Sequence, residues 1–258
     1  MKTAILEARN ISLNYKNNFI LNSIDIDVYA GEVTTLLGPN GAGKSTLLNM
    51  FTHSHKHSGK VRFFNKEATS DFKEFSKNIA FLPQNNYIDF PFLGHEIVEM
   101  GAIPLSLSSK EIFQLALHYM EQVEIQHRAQ SLFTTLSGGE QQRIHIARVL
   151  LQLHQSNRNS LLILDEPISA LDLKFQHHVL KLLYEKAHQE NFAILQILHD
   201  LNLAAQYSDR MVFLNKGVIE ADGTPQEIFK TELIKSVYGM ESIIYHHPTQ
   251  KFLQMMPA

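Results

Sequence analysis

The chain has 258 residues, of which 44% are apolar, and its formal net charge is −3 with all 14 histidines neutral. This length and composition predict one large domain with a substantial core. The charge balance provides no basic field and argues against nucleic acid as the main partner. Because the chain contains no cysteine, disulfides, thiolate metal sites and a cysteine nucleophile are excluded.

Neither an export signal nor a membrane segment is expected from the sequence. Residues 1–10 lack the apolar stretch of a signal peptide. No segment approaches the ~18 apolar residues that a membrane-spanning helix requires. We therefore expect a soluble, cytoplasmic chain.

The N-terminal part is predicted to form β-structure. Short apolar runs in residues 11–26 are broken by Asn14, Asn17 and Asn18, which indicates an antiparallel β-region. Residues 33–37 form an apolar run typical of a buried strand, and a helix is predicted to begin directly after the next turn.

That turn is a phosphate-binding loop. It fits the pattern G-x-x-x-x-G-K-[ST] and consists of Gly38, Pro39, Asn40, Gly41, Ala42, Gly43, Lys44, Ser45 and Thr46. Glycines let backbone amides approach a phosphate closely, and the helix start adds exposed N–H groups and the positive end of its dipole. The loop therefore predicts triphosphate binding, with Lys44 on the β- and γ-phosphates and Ser45 on Mg²⁺.

A short strand at residues 79–82 precedes a region of helical character at residues 85–151. Ser108 and Glu111 form a capping box at the start of one predicted helix. Its apolar face comprises Ile112, Leu115, Ala116, Tyr119, Met120 and Val123.

A second capping box, formed by Ser137 and Glu140, opens another predicted helix. Gly138 and Gly139 lie in its first turn, where each glycine costs about 1 kcal/mol relative to alanine. Capping alone explains these glycines poorly. They are explained if a phosphate must approach the backbone closely, so this turn is a second candidate nucleotide contact.

Two carboxylates follow the apolar run at residues 161–164. A run of this kind predicts a buried strand, and ligands bind at the carboxyl ends of strands in open α/β sheets. Asp165 is then placed to hold Mg²⁺, and Glu166 to accept a proton from the water that attacks the γ-phosphate. The alternative is that the two carboxylates merely mark a strand that ends at a polar loop. The presence of the phosphate loop argues against this alternative.

The remaining elements complete an α/β pattern. A core strand is predicted at residues 193–198, a hairpin joins residues 211–214 to 218–221, and residues 224–227 open a helix with a capping box and a proline. The fold class is therefore α/β, with a mostly parallel sheet, an antiparallel β-region and an inserted helical subdomain.

The phosphate loop, the Leu-Ser-Gly-Gly-Glu stretch at residues 136–140 and the Asp-Glu strand occur in an order that resembles the ATP-binding-cassette (ABC) transporter ATPases. The resemblance covers nearly the whole chain and implies a P-loop NTPase fold that binds ATP and Mg²⁺. It implies a single domain over residues 1–258, with an α/β core at 1–84 and 152–258 and a helical signature subdomain at 85–151.

The resemblance also implies roles for individual residues. The catalytic set is Glu166, His199, Gln84 and Lys44, and the Mg²⁺ set is Ser45, Gln84 and Asp165. Tyr15 resembles the aromatic residue that stacks on adenine, although a tyrosine at a strand end is often a packing residue. Ser137, Gly138 and Gly139 face the ATP of a second copy, and Asp172 belongs to the loop that couples the two sites.

Several partners follow from the same resemblance. Two copies form a head-to-tail dimer that encloses two ATP molecules, and the dimer drives a separate transmembrane permease dimer at the cytoplasmic face of the bacterial inner membrane. The surface around Phe90-Pro91-Phe92 is expected to receive the permease, although these aromatics equally suit packing within the helical region.

Within this family the chain is most similar to the ATPases of bacterial haemin importers, which work with a periplasmic haem-binding protein. The polar insert at residues 154–160 and the tail from His246 carry most of that resemblance. ATPases of siderophore and cobalamin importers share several of the same stretches. A soluble ATPase of iron–sulfur cofactor assembly is the alternative from another class.

Clustered histidines invite a metal-site interpretation. His53, His55 and His57 alternate, and alternating imidazoles can bind Zn²⁺ or Ni²⁺. No carboxylate or thiolate lies among them, and we interpret the segment as a solvated loop. No metal other than the Mg²⁺ bound with the nucleotide is predicted.

Overall fold

The structure is a computed structural model that describes residues 3–15, 18–52, 58–68, 75–156, 160–250 and 252–258. Its strands are β1 Ala4–Tyr15, β2 Asn18–Tyr29, β3 Glu32–Leu37, β4 Ser58–Phe63, β5 Lys66–Glu67, β6 Ile79–Leu82, β7 Ser160–Asp165, β8 Phe192–Ile197, β9 Arg210–Asn215, β10 Val218–Gly223, β11 Ser242–His246 and β12 Leu253–Pro257. Its helices are α1 Lys44–Thr52, α2 Gly94–Glu99, α3 Ser109–Gln122, α4 Gly138–Gln152, α5 Leu173–Glu190, α6 Leu201–Tyr207, α7 Pro225–Ile228 and α8 Thr231–Tyr238.

The predicted antiparallel β-region is confirmed and begins earlier than expected, at Ala4. Strands β1 and β2 pair antiparallel and join β4 and β5 in a four-stranded sheet of order β2-β1-β4-β5. Opposed apolar pairs such as Ile11 with Ile24 and Ala8 with Ile26 are fully or almost fully buried. Burial of these paired side chains fixes the register of the sheet.

The main sheet has six strands in the order β10-β9-β3-β8-β7-β6. All neighbours are parallel except β9 and β10, which form the predicted hairpin. The hairpin turns at Lys216 and Gly217, whose φ values of 48° and 78° are both positive. Such a turn matches the right-handed twist of the strands, and it favours glycine.

Both faces of the main sheet are covered, as β7 illustrates. Leu161 and Ile163 belong to an apolar cluster with α1 and the antiparallel sheet, whereas Leu162 and Leu164 belong to a cluster with the helices. Successive side chains of a strand point to opposite faces. A strand that is buried on both faces must therefore be apolar throughout, which explains the uninterrupted run in the sequence.

The helical region between β6 and β7 contains α2, α3, α4 and three short 3₁₀ turns. The first of these helices begins at Gly94. Residues 85–93 were predicted to be helical, but they form a connecting segment between β6 and α2. The capping boxes of Ser108 with Glu111 and of Ser137 with Glu140 are both present. We propose to treat residues 85–151 as a helical subdomain inserted into the core at 1–84 and 152–258.

A C-terminal ribbon of β11 and β12, paired antiparallel, was not predicted from the sequence. Its strands carry several exposed apolar side chains, and their turn lies near Pro248, where apolar periodicity is weak. Over the described ranges, no helix combines the length and apolar character that crossing a bilayer requires.

Candidate functional site

Four neighbouring parallel strands direct their carboxyl ends to one edge of the main sheet. In the order β3-β8-β7-β6, these ends lead into the phosphate loop, His199, the pair Asp165 and Glu166, and Gln84. Ligands bind at this edge in open α/β sheets. The topology therefore brings together residues that are far apart in the sequence.

The phosphate loop depends on glycine at Gly38 and Gly43. Their φ values are 142° and 103°, in a region that side-chain-bearing residues rarely adopt. A Cβ atom at Gly38 would overlap the carbonyl oxygen of Leu214, and one at Gly43 would lie 2.9 Å from Leu21 Cδ2. At Gly41, with φ 79°, a Cβ would meet nothing within 4 Å. The open space at Gly41 is where a phosphate can approach the backbone.

Lys44 is buried inside this loop, with 6% of its surface exposed. Its Nζ donates hydrogen bonds to the carbonyl oxygens of Gly38 at 2.7 Å and Pro39 at 3.0 Å. Burial lowers the pKa of Lys44, and the negative charges of Glu166 and Asp165 partly offset that effect. Lys44 thus places its side-chain nitrogen at the N-terminus of α1, where the helix dipole also favours an anion.

The loop borders a cavity of about 590 Å³, a size typical of small-molecule sites. The predicted residues Gln84, Glu166 and His199 also line it. Among the residues that the structure describes, the lining is Ile20, Asn40, Gly41, Ala42, Gly43, Lys44, Ser45, Thr46, Gln84, Glu166 and His199.

Ser45 and Asp165 form an oxygen pair beside the cavity. The Ser45 hydroxyl donates to Asp165 Oδ1 at 3.2 Å, and only 2% of Asp165 is exposed. Burial raises the pKa of Asp165, and the hydrogen bond from Ser45 acts in the opposite direction. Two hard oxygen donors beside a phosphate loop fit the ligand preference of Mg²⁺.

His199 and Glu166 are in direct contact. His199 Nε2 lies 2.6 Å from Glu166 Oε1, so the ring N–H can donate to the carboxylate. The backbone of Glu166 has φ 52°, which is unusual for a residue with a side chain. Ser169 supports this conformation, because its hydroxyl donates to the Glu166 carbonyl oxygen at 3.2 Å.

Ser137, Gly138, Gly139 and Asp172 line a second cavity of about 380 Å³, and none of them lines the first. Ser137 caps α4, and its backbone N–H and hydroxyl both donate to the carboxylate of Glu140. Those two hydrogen bonds, with a smaller contribution from Arg128, lower the pKa of Glu140 to about 2. The structure therefore separates the predicted signature residues from the phosphate loop of the same chain.

Arg143 lines the second cavity and connects the elements around it. No role was predicted for this residue from the sequence. Its guanidinium lies 3.8 Å from the centre of the Phe175 ring and donates to the carbonyl oxygens of Val123 at 3.3 Å and Glu124 at 2.7 Å. The ring contact ties α4 to the start of α5, next to Asp172, and the two hydrogen bonds tie α4 to the end of α3. Phe175 carries no sequence signal, because its partner lies 32 positions away in a different element.

A second bridge, also missed, connects α4 with the segment after Gln84. His145 Nε2 lies 3.2 Å from the carbonyl oxygen of Asn86, whose side-chain amide donates to the carbonyl oxygen of Pro83 at 2.6 Å. Burial, together with the charge of Arg148, lowers the pKa of His145 to about 4 despite the contact with Asn86. His145 is therefore a neutral donor at neutral pH.

Two sequence-based interpretations concern residues that the structure describes only partly or not at all. Tyr15 ends β1, but its side chain lies outside the described part, so adenine stacking stays a prediction. His53, His55 and His57 lie outside the described residues altogether. In the described part, no group of three or more potential ligand residues has the arrangement of a metal site.

The six-stranded sheet, the antiparallel sheet beside it and the glycine-rich loop over the cavity define a P-loop nucleotide-binding cassette. The family model for ABC transporters matches residues 21–169. The chain belongs to the ABC transporter family.

Relatives match along the whole chain. The hemin import ATP-binding protein HmuV of Vibrio parahaemolyticus serotype O3:K6 is 50% identical, over 100% of both proteins. HmuV of Vibrio cholerae serotype O1 is 44% identical, again over 100% of both.

Solved structures agree in fold. A chain of a transporter described as metal-chelate type, in an inward-facing conformation, has a TM-score of 0.82 at 26% identity, covering 99% of this chain and 98% of its own. A dimeric ATP-binding cassette in a post-hydrolysis state, bound to ADP and phosphate, has a TM-score of 0.73 at 29% identity, covering 85% of this chain and 98% of its own.

Proposed function

We propose that the chain is the ATP-hydrolysing subunit of a bacterial importer and that it energises haem uptake through a separate membrane permease. The observation that carries the hydrolytic part is the 2.6 Å contact between His199 and Glu166 at the cavity of the phosphate loop. A carboxylate and an imidazole in contact beside a phosphate site suit proton transfer and charge stabilisation.

The residues around the cavity fit ATP bound with Mg²⁺. Lys44 and the N-terminus of α1 supply positive charge for the phosphates, and Gly41 leaves the backbone accessible. Ser45 and Asp165 supply oxygen ligands for Mg²⁺, and Gln84 reaches the same cavity. When bound, Mg²⁺ neutralises charge on the phosphate oxygens.

In the proposed reaction, water attacks the γ-phosphorus, the bond to the bridging oxygen breaks and ADP leaves. Glu166 accepts the proton that the attacking water loses. His199 stabilises charge on the transferred phosphoryl group and orients Glu166, and Lys44 shares the charge stabilisation. Gln84 positions the attacking water.

We propose that two copies bind ATP head to tail. The separation of the two cavities supports this, since Ser137 and Gly139 line the second and the phosphate loop lines the first. The signature turn of one copy then completes the nucleotide site of the other. A structurally similar cassette is dimeric after hydrolysis.

The permease contact is proposed for the surface that follows Gln84. Tyr87 is 89% exposed and Phe90 is 63% exposed, and the Phe90 and Phe92 rings lie 4.7 Å apart. Exposed aromatic side chains that cluster are typical of interaction surfaces. This contact would hold the chain at the cytoplasmic face of the inner membrane.

The cargo is proposed from the full-length relatives, which are hemin import ATP-binding proteins. In this arrangement, a permease and a periplasmic haem-binding protein select the haem, and the present chain contacts neither haem nor nucleic acid. Another metal chelate is the second candidate, because the similar structure with a TM-score of 0.82 comes from a transporter described as metal-chelate type.

The test is reconstitution of the chain with its co-purifying permease in liposomes. We expect ATP hydrolysis and ATP-dependent uptake to be stimulated by the haem-loaded binding protein, and Glu166→Gln to abolish both. Stimulation by a siderophore or cobalamin complex instead of haem would keep the transport function and change the assigned cargo. Recovery of soluble partners alone would contradict the transport function and favour an ATPase of cofactor assembly.

A further inference from the structure

The C-terminal ribbon is bound to the helix that follows His199. The side-chain amide of Asn202 in α6 donates to the carbonyl oxygen of Met255 at 3.1 Å and accepts the backbone N–H of Met255 at 2.6 Å. One side chain thus makes both hydrogen bonds that a neighbouring strand would make.

The ribbon presents Met255 for this contact. In an antiparallel pair, alternate residues direct both backbone groups toward the partner strand, and the residues between them direct both groups away. Phe252 and Ala258 hydrogen-bond across the ribbon, to His247 and Glu241. Met255 is three positions from both Phe252 and Ala258, so its N–H and C=O point away from β11. Both groups form hydrogen bonds with the Asn202 side chain instead.

Asn202 is closely connected to the proposed hydrolytic pair. Its backbone N–H donates at 2.8 Å to Asp200 Oδ1, which also accepts from the N–H of Leu203 and so caps α6. His199 directly precedes Asp200 and contacts Glu166 at 2.6 Å. Helix α6 has only seven residues, too few to be stable without tertiary contacts.

We infer that the C-terminal ribbon supports the proposed hydrolytic pair from outside the cavity. Asn202 is a positioning residue that holds His199 against Glu166 through its two hydrogen bonds to the Met255 backbone, which we call the clasp. The inference rests on the proposed roles of His199 and Glu166. The ribbon then does more than pack against the core. Loss of the clasp loosens the first turn of α6 and therefore the position of the His199 imidazole.

Two variants weaken this contact from opposite sides. Asn202→Ala removes both hydrogen bonds. Met255→Pro removes the one that the Met255 N–H donates, without breaking a hydrogen bond across the ribbon, because that N–H points away from β11. We expect each to lower kcat about tenfold, since a small displacement of a catalytic group costs one to two orders of magnitude. The KM for ATP should stay within about twofold, because the phosphate loop is untouched.

Matched controls separate positioning from folding. Met255→Leu keeps the backbone N–H and nearly the same volume, and Tyr245→Ala changes an exposed ribbon side chain, so both should retain wild-type kcat. The double variant Asn202→Ala with Met255→Pro should be no slower than Asn202→Ala alone, since the alanine already removes the hydrogen bond that the proline removes. In nitrogen NMR spectra, the His199 ring resonances should shift in both single variants and stay unchanged in the two controls.

The outcomes are distinct. Wild-type kcat in both Asn202→Ala and Met255→Pro, at full nucleotide occupancy, would overturn the inference. Additive losses in the double variant, or unchanged His199 resonances, would assign the ribbon a merely structural role and also overturn it. Glu166→Gln measured in parallel tests the underlying function. If that variant hydrolyses ATP normally, the proposed function fails, whatever Asn202 does.

Discussion

His199 Nε2 lies 2.6 Å from Glu166 Oε1, although the two residues are 33 positions apart. The contact exists because β7 and β8 are adjacent and parallel, so that the residues after their carboxyl ends meet at one edge of the sheet. The contact orients a carboxylate toward the cavity that the phosphate loop borders. Hydrolysis in the proposed function depends on this arrangement.

Lys44→Ala should weaken ATP binding by at least about tenfold, which corresponds to roughly 1.4 kcal/mol. The reason is loss of the positive charge that the loop holds through Gly38 and Pro39. Calorimetric titration with a non-hydrolysable ATP analogue measures the effect. Lys181→Ala, at an exposed position of α5, is the control and should bind as the wild type does. Equal affinity of the Lys44 variant would exclude the assigned role.

Gly38→Ala and Gly41→Ala should differ strongly in stability. At Gly38 the added methyl group collides with the backbone carbonyl of Leu214, which cannot move aside cheaply, so we expect a loss of several kcal/mol. At Gly41 the space is open, and only the left-handed backbone is penalised, by about 1–2 kcal/mol. Urea unfolding without nucleotide compares the two variants. Similar unfolding midpoints would contradict the loop geometry.

Ser137→Arg should bind ATP normally and fail to dimerise. The residue lies on the second cavity, away from the phosphate loop of its own chain, so the substitution affects only the contact between copies in the proposed head-to-tail dimer. Ser137→Thr is the matched control, because threonine retains a capping hydroxyl. Sedimentation with ATP in the Glu166→Gln background reports dimer formation. A normal ATP-dependent dimer of the arginine variant would rule out the shared site.

His145 should make folding stability sensitive to acid. Its pKa is lowered from 6.5 to about 4 in the folded chain, so between these pH values the unfolded chain binds a proton that the folded chain does not. Stability therefore rises with pH through this window and falls on acidification, by up to about 3 kcal/mol in total.

His145→Gln cannot titrate, yet it keeps an amide that can donate to Asn86. We expect its unfolding free energy to depend less steeply on pH between 4 and 6.5 than that of the wild type, as measured by urea titrations. Identical slopes for His145→Gln and the wild type would contradict the burial-based explanation.

Much of the fold was predictable because its signals are local. The apolar runs of β3, β6 and β7, the glycines of the phosphate loop and the capping boxes of α3 and α4 each lie within a few consecutive residues. The family resemblance added Gln84 and His199, and the structure brings both to the cavity of the phosphate loop.

The sequence did not predict the features that depend on distant partners. The stacking of Arg143 on Phe175, the contact of His145 with Asn86 and the clasp of Asn202 on Met255 each join separate elements. The ribbon was also not predicted, because its strands are short and partly exposed and therefore show only weak apolar alternation. Such contacts follow from tertiary packing, which a single sequence does not encode in any local pattern.

The central claim is that Glu166 is the general base of ATP hydrolysis. The most direct test measures ATP affinity and turnover of Glu166→Gln beside those of Glu185→Gln, a control on the exposed side of α5. We expect unchanged affinity in both variants and a loss of turnover of at least about 100-fold in Glu166→Gln alone. Turnover of Glu166→Gln within a few-fold of the wild type would contradict the claim.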